Sequence, residues 1–406
     1  AWYAPHQFED GKIPCCVDKR GADPVPENDS HGEFIFLNAQ LWKYTRDRAL
    51  LANMWPRVQA AAAYMERQRQ SERNDANRAD PNRALFGLLP ASISHEGYSA
   101  KPMHSYWDDF WGLRGYRDAA LVAGALGKEQ EAAGLRGQGD QFQRELFASL
   151  RLSAAEHKVG YLPGAAELGD FDATSTTIAL SPGGLGEALQ EGLTRDLLLG
   201  TFERYWQQFS ARRDGTLAWN DYTPYELRNV AAFVRLGWRA RAHELLDFFL
   251  RDRRPLAWNG WAEVVGRDAR EPRFVGDMPH GWISSDFIRS ALDLFAYERE
   301  ADHALVLGAG IPRAWLAGRG VGVRGLRTPY GSLGYRMRDE KARLRIEVNA
   351  GLAMPAGGLV IRAFDAHKPG RTTINGRRAQ WSAGELRIRA LPATVLIEHS
   401  TSKERP

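Results

Sequence analysis

The sequence predicts a mainly α fold: an (α/α)6-type toroid of helical hairpins, followed by a small C-terminal antiparallel β domain. Three observations predict it. Apolar residues recur at helical spacing from about residue 31 to about residue 298. Between those helices long loops alternate with tight joints, the long ones falling before residues 31, 106, 171, 224 and 282, a period of roughly 55 to 75 residues. From residue 301 apolar residues alternate with polar ones instead. Antiparallel hairpins joined this way carry all their long loops on one rim, and closing them into a ring lets each helix bury two sides. The expected division is residues 1–300 for the toroid and 301–406 for a β-sandwich-like cover.

Each element has its own signal. Residues 1–30 carry Pro, Gly and Asp without periodicity and read as an irregular loop. Ser30, with Glu33 three residues later, is an expected capping box for a helix to about Tyr44. After TRDR, residues Leu51, Met54, Trp55, Val58, Ala62 and Met65 share one face, so a second helix folds back. A polar loop precedes the helix opened by YWDDFWGLRGYRDAALVAGAL, and the next runs past Gly127 to about Leu150. A helical start near Phe171 is interrupted by SPGGLG, and Leu198, Phe202, Tyr205 and Phe209 mark a further helix. Two more begin near Tyr225 and before Ala242. The last, from Trp282 to about Glu298, is apolar on so many sides that burial is expected. Segments such as ARLRIEV and ATVLIE then read as strands, with Asn375-Gly376 a hairpin turn.

Composition narrows the function. A chain of 406 residues with 44% hydrophobic and 11% aromatic residues can bury a sizeable core, and none of its apolar runs approaches a membrane span. The net charge is +4, with basic residues dispersed instead of forming a stripe or a known motif, which speaks against a nucleic-acid partner. Cys15 and Cys16 are adjacent and cannot close a structural loop. Metal-site spacings such as HExxH or paired CxxC and a phosphate-binding Gly loop do not occur, so no metal or cofactor is expected. The chain opens on Ala1 without a leader pattern; a secreted or periplasmic protein with its leader removed is the favoured reading.

Two loops carry chemistry. Asp108 lies between Trp107 and Asp109, close to Trp111, at a helix head. Glu263 lies in GWAEVVGRDAREPRFVGDMPHGW before the last helix. Paired carboxyls suit hydrolysis of a glycosidic bond, in which one protonates the leaving oxygen and the other activates water. Neighbouring Trp107 and Trp111 desolvate Asp108, and Asp109 repels its charge, so both effects favour the protonated form. Asp109 is the alternative acid or a sugar-binding group, and Glu27, Asp29 and Glu96 occupy other rim loops. Trp219, Trp258, Trp261 and Trp282 offer faces for stacking on sugar rings, and His104 and His280 flank the two acidic motifs as hydroxyl partners.

With WDDF at a helix start, then a loop Glu followed by GDMPHGW and an apolar helix, then a β domain, the chain resembles the six-hairpin glycosidases. That superfamily includes glucoamylases, trehalases, processing α-glucosidases and α-rhamnosidases. The resemblance implies an inverting glycoside hydrolase acting on an oligo- or polysaccharide, with Asp108 as general acid and Glu263 as general base. The rival readings are a polysaccharide lyase on the same helical architecture, with Tyr or His as base, and a non-catalytic glycan-binding protein. Nine helices are expected where six hairpins need twelve, so an upstream segment or a partner chain is expected to complete the ring.

Overall fold

The computed structural model describes residues 2–94, 97–189, 193–268, 270–271, 273–364 and 370–399. The chain forms two compact units, Ala1–Gln208 and Phe209–Pro406.

The first unit opens with a small hairpin, β1 (Val17–Asp18) and β2 (Gly21–Ala22). Two helical hairpins follow: α1 (Asp29–Thr45) with α2 (Arg48–Glu72), and α3 (Tyr106–Ala125) with α4 (Glu129–Glu156). Then come α5 (Ala173–Leu180), the single turn α6 (Gly186–Leu189) and α7 (Leu193–Arg213), which runs into the second unit. The joint between α1 and α2 is tight because Arg46 adopts the left-handed conformation and Asp47 caps Leu50 N at 2.9 Å. Arg48 at that joint donates to the Leu126 carbonyl at 3.1 Å, tying it to the joint between α3 and α4. The long loops meet one another too: Asn28 Nδ2 donates to Pro90 O at 2.9 Å, Ile93 N to Pro26 O at 3.0 Å, and Tyr106 N to Gly164 O at 3.0 Å. Within this unit the loops before α1, α3 and α5 therefore share a network of their own, apart from the short joints.

The expected capping box at Ser30 does not form. α1 starts two residues earlier, after Asn28, whose amide is taken by Pro90 O and by Gln68 Nε2 at 2.7 Å, while Ser30 Oγ turns to Asp29. Tertiary bonds set this helix start where a local cap was expected.

The second unit contains β3 (Asp221–Tyr222), α8 (Arg228–Leu236), α9 (Arg239–Arg251), β4 (Val265–Gly266) and α10 (Gly281–Phe295). The helix expected to reach Glu298 stops at Phe295, because Ala296–Arg299 is already a strand, β5. Burial of α10 is also less than its apolar content suggests: Ile288 is 55% exposed and Leu292 42%. Its inward face is instead built on ion pairs spaced two turns apart, Asp286 to Arg228 of α8 at 2.7 Å and Asp293 to Arg235 at 2.9 Å. Apolar positions between these pairs are thereby turned outward.

The strands that follow are β6 (Ala304–Leu307), β7 (Val321–Thr328), β8 (Gly331–Glu340), β9 (Arg343–Val348), β10 (Leu359–Arg362), β11 (Thr372–Ile374), β12 (Arg377–Ala379), β13 (Glu385–Ile388) and β14 (Ala393–Glu398). A four-stranded sheet, β13-β10-β6-β5, faces a six-stranded antiparallel sheet, β12-β11-β14-β9-β8-β7. Leu305, Leu359 and Ile388 of one share a core with Tyr335, Ile346 and Val395 of the other. One pairing departs from the antiparallel expectation, β6 with β10, which run parallel. Asn375 and Gly376 both have positive φ, as a two-residue hairpin turn of this hand requires.

One contact governs the first unit. A Cβ on Gly32 of α1 would stand 2.1 Å from the Trp111 carbonyl oxygen of α3, and Gly115 of α3 lies against Gly32 in turn. The obstacle is helix backbone, which cannot rotate aside. Gly32→Ala is expected to cost at least about 3 kcal/mol, the upper end for overpacking a core; equilibrium unfolding in denaturant measures it.

Candidate active site

At the head of α3 the helical turn sends successive carboxylates to different partners, and both are buried, Asp108 at 1% exposure and Asp109 at 0%. Asp108 Oδ2 accepts from Ser92 Oγ at 2.5 Å, and Ser92 Oγ accepts from Ser94 N at 2.9 Å. Ser94 Oγ in turn donates to Ser105 Oγ at 2.8 Å. Ser92 is held there by a two-bond bridge to Met103, its N–H and C=O meeting those of Met103 at 2.9 and 3.0 Å. Asp108 Oδ1 has no hydrogen-bond partner among the described residues. Burial and the charge of nearby Asp29 push the Asp108 carboxyl well above the ordinary carboxylate range, against the Ser92 hydrogen bond, and Asp109 adds a further rise. The surroundings of Asp108 thus favour its protonated form, with Oδ1 left for the proton.

Asp29 reaches this position because α1 crosses α3 so closely; its Oδ2 accepts the Trp107 indole N–H at 2.7 Å. Trp107 therefore spends its polar edge on Asp29 and is itself buried, as is Trp111, whose ring meets Trp107 edge-on with centroids 6.1 Å apart. These two rings desolvate the acids instead of presenting open faces. Asp109 faces the other way: Oδ1 accepts from Leu89 N at 2.9 Å, and Oδ2 has no hydrogen-bond partner among the described residues. Burial raises its pKa to about 7, opposed by the Leu89 bond and by the positive charges of His104 and Arg69.

His104 sits between two glutamates, Nδ1 at 2.6 Å from Glu167 and Nε2 at 3.6 Å from Glu72. Burial opposes its protonation, but the bonds to Glu167 and Glu72 outweigh it and lift the pKa to about 9. Its positive charge opposes the rise at Asp109. Tyr98 completes the neighbourhood, donating to Asp170 Oδ2 at 2.9 Å; burial and the charges of Asp170 and Asp172 hold its hydroxyl in the neutral form. Glu96 lies outside the described residues.

The second unit holds the other acidic motif. His280 caps α10, its Nδ1 accepting from Ile283 N at 3.3 Å. That bond leaves the proton on Nε2, which faces Asp277 Oδ2 at 3.2 Å and Glu263 Oε2 at 3.9 Å. The three groups lie within 4.8 Å of one another, close enough to hold a metal ion. The tautomer argues otherwise: Nε2 carries the proton and has no lone pair to offer, so the trio is one imidazole N–H facing two carboxylates, beside a half-exposed Glu263. Tyr225 packs edge-on to His280 and to exposed Trp282, centroids 5.9 Å in each case. Trp261 is buried, its indole N–H bonded to Phe249 O at 2.9 Å, and Trp219 packs on Tyr222. Trp282 and Trp258, 42% and 56% exposed, are the most exposed of the rings expected to bind sugar.

Sequence reasoning passed over Ser92, Ser94, Tyr98, Asp277 and Tyr225, and gave Asp29 only a minor part. Asp277 and His280 stand three apart around a cap, a spacing that pairs side chains. The others meet their partners only through tertiary contacts.

Helical hairpins followed by a pair of packed β-sheets recur in two solved structures. One is α-L-rhamnosidase from Dictyoglumus thermophilum, with TM-score 0.50 and 9% identity, matching 98% of this chain and 43% of that one. The other is the GH78 family rhamnosidase of Bacillus sp. GL1, with TM-score 0.51 and 12% identity, matching 84% of this chain and 34% of that one. The chain thus spans less than half the length of either enzyme, and at these identities the likeness is one of fold. No family model and no curated protein matches the sequence.

The His104 shift has a testable consequence. Its folded pKa of about 9 lies above its ordinary 6.5, so the stabilisation is complete below pH 6.5 and is lost as pH rises through about 9. Wild-type protein should lose about 3 kcal/mol over that window. His104→Gln should lack this slope when unfolding free energy is measured against pH.

Proposed function

We propose that the chain is a glycoside hydrolase that cleaves its substrate with inversion, Asp108 serving as general acid and Glu263 as general base. The observation that carries this reading is the buried Asp108, its carboxyl pushed well above the ordinary carboxylate range and its Oδ1 without a hydrogen-bond partner among the described residues. A sugar oxygen leaves readily only when protonated, and an acid held toward its protonated form by burial and a like-charged neighbour can supply that proton. Glu263, half-exposed beside the Nε2–H of His280, is suited to take a proton from an attacking water. In this reading residues 1–300 form the (α/α) toroid, completed by an upstream segment or a partner chain, and residues 301–406 form its cover. The fold shared with two rhamnosidases makes a terminal α-L-rhamnoside the first substrate to try.

A lyase would need a Tyr or His base beside the acid. Tyr98 is held neutral by burial and by Asp170, and His104 is already protonated between two glutamates, so neither is poised to take a proton.

Asp108→Asn and Glu263→Gln should each lower turnover of an aryl α-L-rhamnoside by at least about 10²-fold, with the fold retained by circular dichroism. NMR of the first sugar released should show the inverted anomer. A retained anomer would replace single displacement with a covalent intermediate and remove Glu263 from its role as base. Asp29→Asn, which deletes the charge that helps keep Asp108 protonated, should move the alkaline limb of the kcat/KM profile to lower pH.

A further inference from the structure

Charge is unevenly divided along the chain. Residues 296–406 hold 19 Lys and Arg against 10 Asp and Glu, whereas residues 1–295 hold 35 against 40. Much of the excess gathers on the outward face of the six-stranded sheet. In β8 the side chains of Leu333, Tyr335 and Met337 enter the core, which leaves Arg336 and Arg338 outside. In β9 the inward Leu344, Ile346 and Val348 leave Arg343 and Arg345 outside. The register sets Arg338 directly opposite Arg345, and β7 adds Arg327 opposite Ser332 on the same face.

Like charges directly opposite one another destabilise a sheet. Here two carboxylates offset them: Glu340 accepts from Arg338 at 2.8 Å, from Arg343 at 2.9 Å and from Arg345 at 2.9 Å, and Glu347, opposite Arg336 in the register, accepts from Arg345 at 3.5 Å. Three guanidinium groups on two carboxylates leave a net positive cluster. Beside it, exposed Arg327 and Arg336 make no ion pair or hydrogen bond with any described residue. Gly322 faces Arg336 across the register, so no side chain roofs that guanidinium from β7.

We infer that the outward face of β7, β8 and β9 binds an acidic polysaccharide through the carboxylates of its uronate residues. The guanidinium fork matches a carboxylate in two parallel hydrogen bonds, and a row of forks on adjacent strands suits a polymer with repeating carboxylates. The choice of a glycan rests on the glycosidase reading above. It is favoured over single-stranded nucleic acid because the outward positions of these strands carry no aromatic ring on which bases could stack. The substrate this face would hold for the enzyme is accordingly a sugar borne on a uronate-containing polymer.

Affinity electrophoresis of the whole chain in gels containing polygalacturonate, dextran or a DNA duplex tests the inference. Polygalacturonate should retard the protein, dextran should not, and added salt should weaken the retardation. Arg327→Glu with Arg336→Glu should raise the apparent Kd at least about tenfold. Arg136→Glu with Arg144→Glu, the same change of net charge placed on α4, should alter it less than about twofold. Hydrolysis of a small neutral glycoside by the face variant should be unchanged, and Asp108→Asn should still be retarded, which separates failure of this site from failure of the glycosidase reading. Absence of retardation, an equal loss in the α4 variant, or tighter retention by DNA than by polygalacturonate would each overturn the assignment.

Discussion

The approach of α1 to α3 at Gly32 is the constraint on which the acidic centre of the first unit depends. With no Cβ at that position the two helix backbones come within contact of each other, and Asp29 is carried to the Trp107 indole. A wider crossing would separate Asp29 from α3 and leave only desolvation and the charge of Asp109 to favour the protonated form of Asp108. The same crossing buries Trp107 and Trp111 against the carboxylates, so packing and electrostatics at this site have one geometric cause.

That cause produces an uneven distribution of protons. Two consecutive aspartates are both fully buried, yet their surroundings differ. Asp108 has a like charge in Asp29 and one hydroxyl donor, whereas Asp109 has a backbone N–H and the positive charges of His104 and Arg69 nearby. The Glu72–His104–Glu167 arrangement keeps one positive charge under Asp109 and holds that carboxyl near 7 instead of higher. Two carboxyls adjacent in sequence are thereby placed in different electrostatic surroundings.

Much of this was legible in the sequence and some was not. The hairpin pattern and the placement of Asp108 at a helix head follow from periodicity and loop spacing, which are local properties. The Trp107–Asp29 bond joins residues 78 apart and has no local signature. The start of α1 was misplaced for a related reason, since Asn28 is held by Pro90 and Gln68, not by its neighbours in sequence. Alternation marked the strands but not their partners, so the parallel β6–β10 pairing could not be foreseen. For α10 apolar content suggested burial, while the heptad-spaced Asp286 and Asp293, paired with Arg228 and Arg235, turn a different face inward.

The central claim is that Asp108 is a carboxylic acid, not a carboxylate, in the folded protein at neutral pH. Carbon-13 NMR of protein labelled at the aspartate side-chain carboxyls, with Asp108→Asn to assign the signal, measures this directly. The account predicts a chemical shift for Asp108 that stays at the protonated value from pH 4 to pH 7. A signal that titrates near 4, as an ordinary aspartate does, would contradict it.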